Sequence, residues 1–315
     1  MSRAEPAGAT APGAPAASGA SGASGISGIS GERRAIWTLG LFRSELTITF
    51  RRWRTLALLG VLAAVPVLIG VAVRIETGEG GSVGGGPEGG AGGPAFIAQI
   101  TNNGLFLVFT ALAATLPFFL PMSIGVVAGD AVAGEANSGT LRYLLVAPAG
   151  RTRLLLAKYA TTLAFCLAAT LTVAVSALVT GALLFPLGEL TTISGTRIGF
   201  AEGLLRALLI ALVVAASLIG VAALGLFVST LTNSGIAAMA TTVGLLITVQ
   251  ILGTIPQLDA IHPYLFSHHW LSFADLMREP VYWDGLLKNL QLQGLYAAVF
   301  GTAAWARFTA KDINA

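Results

Sequence analysis

Between residues 32 and 54 the chain reads ERRAIWTLGLFRSELTITFRRWR. Ile36, Leu39, Phe42, Leu46, Phe50 and Trp53 recur every three or four positions, with arginines and Glu45 between them, which predicts an amphipathic helix with a basic face. Such a helix suits the headgroup layer of a membrane; packing on the cytoplasmic domain of another subunit is a compatible second reading. Beyond it the charges cease. Residues 55–73 hold none, and as a helix they measure about 28 Å, enough to cross the hydrocarbon core. Residues 105–127 form the next apolar window, with Pro117 and Pro121 predicting a kink or local unwinding. A third covers 159–185. Residues 207–258 are free of charge throughout, too long for one helix, and the polar string STLTNSG at 229–235 divides them into 207–228 and 236–255. The sixth and weakest window, 289–306, carries Gln291 and Gln293. The expected architecture is an all-α integral membrane protein of six spans behind an interfacial helix at 32–54.

Residues 1–31 are almost entirely Ala, Gly, Ser, Pro and Thr, too poor in apolar side chains to offset backbone ordering, and are expected to form a disordered tail. No apolar run follows Arg3, so the tail does not read as a signal peptide. Composition sharpens the class: 55% hydrophobic and only 10% charged residues, against about 25% charged in soluble domains, with a mean hydropathy of +0.79. A chain so poor in charge cannot clothe a water-facing surface. Its net charge of +3 is too small and scattered for a nucleic-acid surface. A single cysteine, Cys166, excludes an intrachain disulfide and a zinc cluster of several thiolates. With six spans, segments 1–54, 128–158 and 307–315 share one side and hold thirteen of the eighteen Lys and Arg residues. The excess of positive charge on internal loops then sets both termini in the cytoplasm. The outer loop at 74–104 is glycine-rich, but Lys158, Lys288 and Lys311 all lack the preceding glycine of a phosphate-cradling motif, so the loop reads as a tether and no nucleotide site is expected.

The informative cytoplasmic stretch is AGDAVAGEANSGTLRYLLVAPAGRTRLLLAKYA at 128–160. Thr140 is a suitable N-cap, after which Leu141, Leu144 and Leu145 fall on one face of a short helix. Pro148 and Gly150 stop it, and Arg151, Arg153 and Lys158 flank the third span. An exposed leucine face in a charged loop either packs on its own bundle or docks into a partner. Glu135, Gly139, Thr140, Leu141, Leu144, Leu145, Pro148, Arg151 and Lys158 closely resemble the loop between spans two and three of type 2 ATP-binding-cassette (ABC) exporter permeases. Phe42-Arg43-Ser44-Glu45 and the Arg51-Arg52-Trp53-Arg54 run resemble that family's opening, and FTAKDI at 308–313 its ending. The resemblance covers roughly residues 40–315.

It implies a half-transporter in the bacterial cell membrane: two permease chains, alike or different, each docking a separate ATPase through the loop helix and the N-terminal helix. ATP and Mg²⁺ would be bound by that partner, so this chain is expected to be no enzyme and to hold no cofactor itself. The coupling contact would be built from Glu135, Gly139, Thr140, Leu141, Arg142, Leu144, Leu145, Pro148 and Arg151, with Glu135 and Arg142 at its rim. The family also implies short helices dipping into the outer leaflet at 256–285, a segment rich here in Trp, Tyr and Phe.

Against this stand other readings. His262, His268 and His269 lie near Asp259 and Asp275 and could ligate Zn²⁺ or Cu²⁺, but neighbouring 268 and 269 diverge on a helix, and packing beside Trp270 and Tyr264 is the plainer role. Glu135 is a single carboxylate with no histidine on its side, which suits salt bridging to Arg142, Arg151 or a partner better than acid–base catalysis. Ala216/Gly220 and Ala240/Gly244 are spaced for close helix approach. A stand-alone secondary transporter or channel is the alternative function; it needs ionisable groups inside the membrane, and the windows carry essentially none, Lys158 and Arg206 falling near their ends. Walls of Leu, Val, Ala and Phe suit a hydrophobic or amphipathic cargo.

Overall fold

In hydrocarbon an unpaired backbone N–H or C=O costs several kcal/mol, so apolar stretches of this length close their hydrogen bonds within helices. The fold, given by a computed structural model, is described over residues 40–78, 99–138, 150–192 and 194–310. The tail at 1–31, most of the glycine-rich loop and the tip of the 128–160 stretch fall outside these residues.

Helix α1 covers 40–51, bends at Arg52 and leads directly into α2, Trp53–Gly78. A helical turn at 99–102 precedes α3, Phe106–Thr115, and α4, Phe119–Asn137. The longest helix, α5, is Arg151–Leu184. A two-residue antiparallel pair, β1 Leu190–Thr191 with β2 Arg197–Ile198, registers Leu190 opposite Ile198 and turns at Gly195, whose φ of 83° suits a residue without Cβ. Then come α6, Phe200–Ala216, α7, Ile219–Leu231, and α8, Gly235–Leu252. Two 3₁₀ segments, Pro256–Tyr264 and Trp270–Met277, lead to α9, Trp283–Ala310.

Among the described residues five helices are long and apolar enough to cross a membrane: Trp53–Thr77, Phe119–Asn137, Arg151–Leu184, Phe200–Leu231 and Gly235–Leu252. The protein is therefore a helical, membrane-embedded one. The helices run past the charge-free windows at several ends. Arg151, Arg153 and Lys158 lie within α5, and Arg74 and Glu76 within α2, because a long polar side chain can reach the headgroup layer or a partner without breaking the helix. The weakest window, 289–306, sits inside the twenty-eight-residue α9.

Two helices are interrupted. The path from α3 to α4 breaks at 116–118, where Pro117 lacks an N–H; Pro121, one turn on, has none to give the Pro117 carbonyl, and the side-chain amide of Gln250 from α8 donates to it instead. The path from α6 to α7 breaks at 217–218; here the Trp270 indole donates to the Ser217 carbonyl at 3.0 Å and the Asn289 amide to Ser217 Oγ at 2.5 Å. Gln293 in turn donates to the Phe266 carbonyl at 2.8 Å. Of the polar side chains in the last apolar window, Asn289 and Gln293 are thus buried and bonded, Asn289 to the helix break and Gln293 to the 3₁₀ region, while Gln291 is exposed.

α5 runs through the bundle and packs on α2, α3, α4 and α6, while α4 packs on α7 and α8 and α7 on α9. At the end of the bundle away from α1, Gly104 and Gly181 bring their backbones so close that a Cβ on either would collide with the carbonyl of the other. Of the two small-residue pairs, Gly220 faces Gln293 and Tyr296 of α9, whereas Gly244 faces open space. Threonines in the helices bond back one turn, as Thr115 Oγ1 does to the Ala111 carbonyl at 2.7 Å, so few polar groups remain to link helices sideways.

Candidate functional site

The exception lies at the end of the bundle that carries α1. Leu41 and Phe50 turn the apolar side of α1 onto the bundle, Phe50 meeting Phe165 of α5 at 6.2 Å between ring centroids. Glu45 falls on that same inner side. It is 5% exposed, and its carboxylate accepts from Lys158 Nζ of α5 at 3.1 and 3.3 Å. Lys158 is 2% exposed and also donates to Glu135 Oε1 of α4 at 2.5 Å. One ammonium therefore holds two carboxylates from two other helices. Alongside, Asp130 of α4 does the reverse: its Oδ2 accepts from Arg52 Nη1 at 2.6 Å and Arg54 Nη2 at 2.7 Å. The six charges sum to zero.

The niche around Asp130 depends on glycine. A Cβ on Gly134, one turn along α4, or on Gly235 at the start of α8 would strike the Asp130 carboxylate. Next to it, Ser229 of α7 donates to the Gly129 carbonyl at 2.6 Å and accepts from the amides of Val132 and Ala133 at 3.0 and 2.9 Å. A single hydroxyl from α7 thus serves three backbone groups of α4. A cavity of about 40 Å³ opens between the two ion clusters, a size for solvent rather than an organic substrate.

These contacts fasten three elements. Glu135 stands at the end of α4, close before the stretch 139–149, and Lys158 shortly after it in α5. Glu45 ties both to α1. Removing one member of a buried ion pair typically costs about 3–5 kcal/mol because the remaining charge loses its partner, so the three elements are held to one arrangement.

Of the residues that the sequence singles out for coupling, Gly139, Thr140, Leu141, Arg142, Leu144, Leu145 and Pro148 lie outside the described residues. Glu135 is not on an exposed rim: it is 7% exposed and bound to Lys158, a pairing that the local sequence does not suggest. Arg151 Nη1 donates to the Thr309 carbonyl at 2.8 Å, close to the end of α9. The windows 105–127 and 159–185 themselves hold no charged residue, but the helices run past them, and Asp130, Glu135 and Lys158 are buried in α4 and α5 just beyond the window ends. Asp130 carries the site without having stood out in sequence, whereas Glu45, Arg52 and Arg54 stood out only as part of the opening that resembles the permease family and Ser229 only as part of a polar divider. The usable signal is the rarity of charge, because an ionisable residue inside or beside an apolar helix of this chain needs a partner.

The histidines behave differently. His262 Nε2 lies 3.1 Å from the Leu252 carbonyl and its Nδ1 3.5 Å from Asp259, while the rings of His268 and His269 meet edge to face at 4.7 Å. Partial burial, aided by His268, holds the His269 imidazole below its usual range. Among the described residues no group of three His, Cys, Asp or Glu side chains is disposed to hold a metal ion.

No curated protein matches the chain. Residues 93–313 match the model of a family described as "Protein of unknown function (DUF2705)". That stretch includes Asp130, Glu135, Lys158 and Ser229 and leaves out α1 and α2 with Glu45, Arg52 and Arg54. The match takes in most of the chain, from before α3 to beyond the end of α9, and the protein belongs to this family.

Proposed function

We propose that the chain is the membrane-spanning permease subunit of an ABC exporter, working with a second permease chain and a separate ATPase to move a hydrophobic or amphipathic substrate out of the cytoplasm. In this reading α2, α3 with α4, α5, α6 with α7, α8 and α9 make six passes, and the Lys/Arg distribution sets both termini in the cytoplasm of a bacterial cell. The 139–149 stretch is the coupling helix, with Leu141, Leu144 and Leu145 as its docking face. The observation that carries the reading is the buried Glu45–Lys158–Glu135 cluster. A partner pushing on the coupling stretch pushes on α4 and α5 at its two roots, and through Lys158 on α1. Movement at the loop is then shared by three helices instead of being lost in one.

The experiment is reconstitution of the full chain with an ABC ATPase that co-purifies with it from its own host. Vanadate-sensitive export from proteoliposomes, lost in Leu144→Asp with the bundle still folded, is the expected result. Export driven by an ion gradient without ATPase would refute the proposal.

That second reading, ion-coupled transport by the chain alone, draws support from the same buried charges, which could take up a proton or cation. It is the weaker one because the cluster sits at one end of the bundle and its charges already cancel.

A further inference from the structure

Between α3, α5 and α6, in the half of the bundle away from the ion clusters, lies a cleft of about 480 Å³. That is within the range of about 300–1,000 Å³ common for ligand sites. Val108, Ala207 and Ala211 form its buried floor; Val175, Leu205 and Leu208 stand as its half-exposed walls. Every lining residue is Val, Leu or Ala, so a polar ligand would be desolvated there with no hydrogen bond in return.

The length and lining of the slot suit one kind of apolar occupant. Lining residues on α6 run from Ala201 to Ala211, about 15 Å of helix, which is the depth of one leaflet. A single alkyl chain lying along the helices matches that length and meets only aliphatic side chains. Glu202 and Arg206 pair at 2.7 Å on the first turns of α6, so charge stands beside the start of the apolar slot.

We propose that this cleft is a binding site for one acyl chain of a phospholipid drawn from the surrounding leaflet. The site rests only on membrane embedding and stands whether or not the chain serves an ATPase. Small residues make it: Ala207 and Ala211 occupy positions where a leucine would fill the slot with protein.

The test uses the full chain in nanodiscs of phosphatidylglycerol and phosphatidylethanolamine doped with a phospholipid carrying a diazirine midway along one acyl chain. Photolabelling should saturate with probe concentration and map to the α5 and α6 peptides around 171–178 and 204–211. Ala207→Leu should cut that labelling at least fivefold and leave labelling of α2 and α8 unchanged; Val175→Trp, which closes the slot from α5, should do the same. Labelling that rises linearly with probe and spreads evenly over α2 and α8 would mean ordinary boundary lipid and overturn the proposal. So would an efficient Leu205→Cys disulfide dimer on a Cys166→Ala background, which would show that a second copy covers the cleft.

Discussion

Replacing Lys158 with methionine keeps the length of the side chain and removes its charge. Two carboxylates would then face each other without the ammonium between them. Since Glu45 and Glu135 lie 3.1 and 2.5 Å from Nζ, they are at most about 6 Å apart, and at an effective dielectric constant of about 20 their repulsion is about 3 kcal/mol. Lost pairing adds to this, so the usual cost of orphaning a buried partner, about 3–5 kcal/mol, is the expected magnitude. In a chain of this size such a loss should lower the unfolding temperature in mild detergent by on the order of 10 °C. The triple variant Lys158→Met/Glu45→Gln/Glu135→Gln removes all three charges together and should recover most of the loss, because replacing a whole buried ion cluster is often close to neutral. If Lys158→Met unfolds within 2 °C of the wild type, the cluster holds nothing in place and the coupling argument built on it fails.

Gly181→Val should prevent α3 and α5 from meeting and yield an aggregated protein by size-exclusion chromatography, while Gly244→Ala, which meets open space, should elute as the wild type does. Ser229→Ala would leave the Val132 and Ala133 amides without their acceptor, a loss of about 1–3 kcal/mol that hydrogen exchange should register as faster opening of 129–135. The His269 imidazole binds its proton less readily in the fold than in the unfolded chain, so the stability it contributes is complete above the unfolded value near 6.5 and declines as pH falls toward the lower folded value. A scan of unfolding temperature from pH 7.5 to 5 should therefore slope less in His269→Gln.

Much of the fold can be read along the chain because it is governed by local composition. Trp53–Gly78 follows from a charge-free window, and the break at 116–118 from Pro117. The division of residues 207–258 follows from STLTNSG, since the helix stops at Leu231 and restarts at Gly235 with Ser234 as its cap. The site is less legible. Glu45 sits among arginines on an amphipathic helix and reads as a water-facing charge, yet its partner is 113 residues away, and no periodicity records a contact at that separation. Ser229 looks like part of a polar divider, whereas its hydroxyl is spent on the backbone of α4. Asn289 and Gln293 look like defects in an apolar helix until the Ser217 hydroxyl at the break and the Phe266 carbonyl between the two 3₁₀ segments supply the acceptors that they serve.

The two interruptions have a mechanical meaning. An unbroken α-helix resists bending because several backbone bonds must lengthen at once, whereas at 116–118 and 217–218 part of that ladder is absent and a neighbour's side chain bonds the Pro117 and Ser217 carbonyls instead. Flexing either strand there costs about one or two ordinary hydrogen bonds, each a net ~1 kcal/mol, an amount that thermal motion supplies often. Below the breaks α4 and α7 are stitched together by Ser229 and move as one body. Above them α3 and α6 flank the alkyl-sized cleft. Under the coupling proposal, a tilt delivered from the α1 end would become at these two joints an opening or narrowing of that cleft, much as a pair of scissors turns a movement of the handles into one of the blades.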